Sequence, residues 1–285
     1  MSGSLEAWIT QVEKKSKRQD TLGKVFSLSK SFSSITAIIF SLLVGILLEI
    51  DLIYFYLAAG FIFLIMGFIS LICFEDNVGS IEENNSYTIK AFKTFIHEPI
   101  YIFLSIVLAS AFSSYSIFIL VCQNKAIKLE GIEGNLPFLY AFYLIGTAIA
   151  GFIYGKKYIN MDVYKYITVL FLIMSISYIL MYFSENIYLY VVGLFIYGLG
   201  FGSILPIFFT WSSSIIDNSQ YVSLLSLMNA VSSFASVITN IIVGKIINSY
   251  TINIGMIIAG VLSFASCMII VFIKRKDINI LDMIN

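Results

Sequence analysis

Eight runs of about twenty apolar residues, each bounded by charged or turn-forming residues, limit what this chain can become. They cover 25–48, 52–74, the stretch after Pro99 to about 122, 137–155, 166–184, 187–211, 222–247 and 252–273. About 20 apolar residues in a helix match the hydrocarbon thickness of a bilayer. In lipid, backbone polar groups find no water, so each run must close its own hydrogen bonds as a helix. The runs are too long, and alternate too little, for barrel strands. The run at 137–155 is the shortest and still long enough for a thin or pinched core, at about 1.5 Å per residue.

Composition agrees. The chain of 285 residues is 59% hydrophobic and 12% charged, against roughly 45–50% and about 25% for a soluble domain. Net charge is zero, so nothing points to nucleic acid. The opening residues are polar, with no short apolar core and small-residue cleavage site. Cys73, Cys122 and Cys267 lie far apart in or beside apolar runs, which suits packing residues better than disulfides or metal ligands. The single histidine, His97, sits in a polar connection. No catalytic cluster, metal set or cofactor motif stands out, so an enzyme is not expected.

Charge placement sets an orientation. With the N-terminus cytoplasmic, inner segments hold 14 lysines and arginines and outer ones hold Lys125, Lys128 and Lys245. The positive-inside rule then puts both ends in the cytoplasm. The longest polar connection, 75–98, divides the chain. The expected organisation is a cytoplasmic segment 1–24, two spans in 25–74, a cytoplasmic linker 75–98, six spans in 99–273 and a cytoplasmic tail 274–285.

Ionisable side chains avoid the middle of every span; Lys30 stands near the start of the first. Uncharged polar residues are uneven. Counting Ser, Thr, Asn and Gln, the first span has seven and the seventh eight, while the second has one and the eighth three. Ser226, Asn229, Ser233 and Ser236 recur at helical spacing on the seventh span, as Ser110, Ser113 and Ser114 do on the third, with Tyr115 beside them. Two readings stay open: a cavity offering hydrogen bonds to a substrate, or close helix packing through small residues. Tyr143 and Tyr197 are further cavity candidates. In the sixth span Gly198, Gly200, Gly202 and Pro206 read either as close packing or as a hinge, because Pro and Gly weaken the helical ladder. Trp211 is expected at the inner interface.

The first two spans have an echo in the last two. Ser232-Ser233 repeats Ser33-Ser34, Val243-Gly244 repeats Val44-Gly45, and Ala259-Gly260 repeats Ala59-Gly60, at offsets of 199 to 200. Each copy is a serine-rich helix followed by a nearly pure apolar one, which suggests duplicated membrane units.

These features resemble a branch of the major facilitator superfamily. Ser2-Gly3-Ser4-Leu5-Glu6-Ala7-Trp8 is similar to the segment that follows its fourth helix, although Gln11 stands where an acid is usual. Tyr197-Gly198-Leu199-Gly200, Pro206, Trp211, Ser226 and Asn229-Ala230 resemble its tenth and eleventh helices, without the usual Arg near Tyr221 and Val222. Gly151, Gly155, Lys156 and Lys157 look like a degenerate copy of its basic cytoplasmic loop motif, with Gly155 in place of an acid. The resemblance implies an all-α, eight-helix membrane protein: an incomplete N-terminal bundle and a complete six-helix C-terminal bundle, corresponding to helices five to twelve. It implies secondary transport of an unknown small molecule, with small-molecule export or drug/proton exchange the expected parental activity. The expected partners are the lipid bilayer, that substrate, and a missing N-terminal half or a second copy of the chain. With helices one to four unaccounted for, the expectation is a truncated, inactive fragment. A non-transporting scaffold or partner subunit in the cell membrane is the alternative.

Overall fold

The computed structural model describes residues 4–16, 21–47, 51–73, 85–130, 136–157, 162–216 and 220–284. These form eleven helices and, among the described residues, no strand. They are α1 (Ser4–Lys15), α2 (Leu22–Ile46), α3 (Leu52–Cys73), α4 (Asn85–His97), α5 (Pro99–Glu130), α6 (Leu136–Lys157), α7 (Val163–Phe183), α8 (Ile187–Phe201), α9 (Ile204–Ile215), α10 (Tyr221–Ser249) and α11 (Ile252–Ile284). Among the described residues, eight helical stretches are long and apolar enough to cross a membrane. They coincide with the eight runs in the sequence to within a few residues, apart from the third, which extends to Leu129.

Local signals mark the ends. Pro99 opens α5, where a missing N–H costs nothing. Asp162 and Asn186 cap α7 and α8 by accepting from the backbone N–H groups of Lys165 and Leu189. The sixth span is two helices. The ladder breaks at Gly202-Ser203, because Pro206 has no N–H to return to the Gly202 carbonyl. Ser203 Oγ instead donates to Ala150 O at 2.7 Å, tying the break to α6.

Lipid tails give no hydrophobic drive for helices to associate, so small residues that let backbones touch do that work. α6 has two such faces. Toward α8, a Cβ on Gly146 would lie 2.3 Å from Phe195 O, and one on Gly198 would lie 2.2 Å from Tyr143 O. Toward α2 there is a serine seam. Ser31 Oγ donates to Ala148 O at 3.0 Å, Thr147 Oγ1 to Ser34 Oγ at 2.8 Å and Ser41 Oγ to Pro137 O at 2.6 Å. Ser31 and Ser27 also sit where Cβ atoms on Gly151 and Gly155 would be, at 2.3 Å. Elsewhere α5 packs on α10 and α11, and α7 on α8 and α11. Ser175 Oγ bonds Gly260 O at 3.0 Å across the α7–α11 contact.

α3 is uncovered: its described large apolar side chains, Phe55 apart, are 43% to 82% exposed. That agrees with a lipid-facing second span. α3 makes no extensive contact with α2, which lies on α6 and α9 instead. Two polar segments of the sequence turn out helical. α1 docks at the start of α10, where Thr10 lies 3.4 Å from the Tyr221 hydroxyl. α4, within the 75–98 connection, buries Ala91 against α5 and α10 and leaves Phe92 and Ile96 exposed beside Lys90 and Lys93. The rest of that connection (75–84) lies outside the described residues.

At the same end, Lys274 pairs with Asp162, both substantially exposed. The hydrogen bond from Lys274 holds the Asp162 carboxyl below the usual carboxylate range. A depressed carboxyl stabilises the fold above the unfolded pKa of about 3.9 and loses that contribution as pH falls through the folded value. An exposed pair is worth below about 1 kcal/mol. Lys274→Met should therefore lower the melting temperature slightly at pH 7, by an amount that shrinks as the pH falls through the lowered Asp162 pKa. The glycines give a sharper contrast. Gly146→Leu should cost about 1–3 kcal/mol or more by overpacking. Gly60→Ala, with open space around it, should be neutral or stabilising by up to about 1 kcal/mol. Thermal unfolding of both variants in detergent checks the pair.

Candidate functional site

α2, α5, α6 and α8 converge on a cavity of about 460 Å³. Ala37, Phe40, Ser41 and Val44 form its α2 wall, Phe118, Cys122 and Gln123 its α5 wall. Leu136, Pro137, Leu139 and Tyr140 supply the α6 wall, and Tyr190 and Leu194 the α8 wall. The lining is apolar and aromatic with a few hydroxyl and amide groups, the usual character of a small-molecule site. A second recess of about 420 Å³ runs between α7 and α11. Its wall includes exposed Ile179, Phe183, Val261 and Phe264, so it opens onto the apolar outer surface of the helices.

The cavity floor leads into stacked rings. Tyr140 and Tyr115 join their hydroxyls at 3.3 Å. Tyr115 stacks on Phe201 at 4.8 Å and 11°. Phe118 stacks on Tyr197 at 4.1 Å and 8°. Beyond Phe201 stands the ammonium of Lys30, 6.0 Å from the ring centre. Rings that offer their faces attract a cation there. Phe201 lies half-way along the 29-residue stretch from Ile187 to Ile215. A charge rooted near the start of α2 thus reaches the mid-level of the membrane-spanning region. The sequence reading placed no ionisable group at that depth. The available signal was the spacing: Lys30, Ala37 and Val44 are seven apart, two helical turns, and share one face of α2.

The structure sorts the other candidates. Ser114 points away from the cavity into the core. It meets Tyr178, Tyr197 and Ser263 hydroxyls at 3.2–3.4 Å, and its carbonyl accepts from Tyr178 Oη at 2.7 Å. Tyr143 and Tyr197 are fully covered and form the second layer behind Tyr115 and Phe118. Ser113 accepts from Thr239 at 3.2 Å and Ser236 meets Ser116 at 2.5 Å, so these hydroxyls join α5 to α10. Ser110 is half-buried on α5 and Ser233 is exposed on α10. Asn229 is buried. The polar stripe of α10 therefore straddles an interface, with Ser226 and Ser233 outside it. Of the eight cavity candidates, Tyr115 is the one beside the cavity floor. Gly198 and Gly202 meet α6, and Gly200 meets Met174 and Leu170 of α7. Close packing accounts for all three, while Pro206 accounts for the break. Gly151, Gly155, Lys156 and Lys157 are not a loop but the last turns of α6. The glycines face α2 and the lysines are exposed. Cys122 and Cys267 are buried free thiols, as packing residues should be. Trp211 stands edge-on to Phe103 and Tyr164.

A family model described as Major Facilitator Superfamily matches residues 133–280. The match covers α6 to the greater part of α11, just over half of the chain. The chain belongs to the major facilitator superfamily. A search of curated proteins returned no match. As members of a transporter family are expected to be, this facilitator is an all-α, multi-pass membrane protein. No group of metal-binding side chains occurs among its described residues.

The buried hydroxyl network behind the cavity is a packing device in this account. Tyr178→Phe removes the donor to Ser114 O. It should cost about 0.5–1 kcal/mol, read as a lower melting temperature, and leave ligand affinity at the cavity within twofold.

Proposed function

We propose that this facilitator is a secondary active transporter of small amphipathic molecules, and that the α2–α5–α6–α8 cavity is part of its translocation path. The observation that carries this reading is the aromatic-lined space of about 460 Å³ at a junction of four membrane-spanning helices. Its size fits one drug-sized molecule. Export is the direction suggested by the branch that the sequence resembles. The lysine and arginine bias favours a cell-membrane location with both ends cytoplasmic.

α2 and α3 act, in this proposal, as part of one bundle and α5 to α11 as the other, with α2 forming the contact between them through α6. Alternating access would then open the cavity by parting α2 from α6, and with it from α5 and α8. A non-transporting partner subunit is the second reading. It is favoured by uncovered α3 and by the exposed Val231, Phe234, Ile238 and Ile242 of α10, which another chain could cover.

The two readings differ in ligand binding. The full chain in phosphatidylcholine nanodiscs should bind the uncharged dye N-phenyl-1-naphthylamine saturably. Ala37→Trp places an indole in the cavity and should weaken that binding at least tenfold without lowering the melting temperature. Absence of saturable binding, or binding that Ala37→Trp leaves intact, favours the partner-subunit reading. Orientation has its own check: cysteines at Lys156 and Lys274 should react with an impermeant maleimide only after permeabilisation, and one at Lys128 without it.

A further inference from the structure

The helices around Lys30 carry no acid to neutralise it. α2, α6, α8, α9 and α10 contain neither Asp nor Glu. The described acids nearest in sequence to Lys30 are Glu13, half-buried on α1 where it accepts from Thr21, and Asp51, exposed beyond the end of α2. No hydrogen bond or ion pair from the Lys30 ammonium to a described residue occurs beyond its contact with Phe201. The other lysines of these helices, Lys24, Lys156, Lys157 and Lys245, are exposed. A charge held inside a membrane protein without a partner is costly and marks a path for ions or substrates. Snorkelling would carry the ammonium to the nearer interface. Instead it lies over a ring at the mid-level of the span. Tyr115 and Tyr140 link that ring to the cavity floor.

We propose that Lys30 is the anion-recognition group of the translocation path, and that the substrate is an organic anion. Its apolar or aromatic body would occupy the space between α2 and Tyr140. Its carboxylate, sulfonate or phosphate would pass along Tyr115 and Phe201 to the ammonium. Phe201 holds the empty-state cation by its ring face and releases it when an anion arrives. The Tyr115 and Tyr140 hydroxyls can donate to the same anion. This inference rests on the cavity being a ligand site, as set out above.

The test compares two dyes of nearly one shape. 1-Anilinonaphthalene-8-sulfonate carries a sulfonate; N-phenyl-1-naphthylamine is its uncharged counterpart. Both are titrated onto the full chain in phosphatidylcholine nanodiscs. For wild type, the anionic dye should bind more tightly than the neutral one. Lys30→Met should weaken the anionic dye by about tenfold to a hundredfold, the range for a lost charged hydrogen bond. The neutral dye should change less than threefold, and Lys30→Arg should restore anion binding. Equal affinity of the anionic dye for wild type and Lys30→Met overturns the proposal. So does an equal loss for both dyes, which would make Lys30 a packing residue. Ala37→Trp separates the two layers of inference: if it abolishes neutral-dye binding while Lys30→Met leaves anion binding unchanged, the cavity stands and the anion role falls.

Discussion

Everything in this molecule that positions the cavity depends on the close approach of α6 to its two neighbours. Lipid tails are as apolar as the side chains, so helices cohere through surface fit and through the hydrogen bonds that fit permits. α6 brings Gly146 to one side, and Gly151 and Gly155 to another. On the first face, backbone touches backbone of α8. On the second, serine hydroxyls of α2 fill the glycine notches and donate to α6 carbonyls. Thr147 lies between the two faces, bonded to Ser34 on α2 and in contact with Gly202 at the foot of α8. These contacts fix the height of α2 against α8, and that height brings Lys30 to Phe201.

The arrangement also explains why packing and function divide along helix faces. On α2, Ser27, Ser31 and Ser34 look toward α6 and Ser41 bonds α6 from the cavity wall, whereas Ala37 and Val44 line the cavity and Lys30, two turns before Ala37, lies over Phe201. Hydroxyls are spent within the protein, on carbonyls and on each other. The cavity is left mainly to aromatic and aliphatic side chains. On α5 the division is similar. Ser114 goes to the core and Ser113 to α10, while Tyr115 turns to the cavity floor. The echo between the first and seventh spans does not carry over residue by residue: Ser232 is buried and reaches Ser105 O from α10, whereas its counterpart Ser33 is exposed on α2.

Much of the fold was legible because a bilayer penalises charge and open backbone so heavily that spans announce themselves. The eight runs, the lipid-facing character of α3 and the buried cysteines follow from that penalty. α1 and α4 were hidden because a short polar helix has no such signature; it forms where Tyr221, or the start of α5, offers a surface. The site was less legible. Serine spacing on α2 and α10 identifies a polar face but does not say whether a carbonyl or a ligand meets it. Ser114 and Tyr197 read as cavity residues, and a core of hydroxyls absorbs them. Gly151 and Gly155 read as part of a loop motif through the family resemblance, whereas α6 needs them as notches for Ser31 and Ser27. Lys30 was passed over because its position along α2 says nothing of the height of Phe201, which the α6 contacts alone determine.

The seam between α2 and α6 can be tested without any ligand. In a chain whose native cysteines are replaced by alanine, Ser34→Cys and Thr147→Cys place two thiols where oxygens now sit 2.8 Å apart. In native membranes, mild oxidation should link them within minutes and nearly completely. Ile39→Cys, on the exposed side of α2, should not link to Thr147→Cys. A pair at Ser34 and Thr147 that stays reduced, or that links no faster than the Ile39 control, would contradict the account.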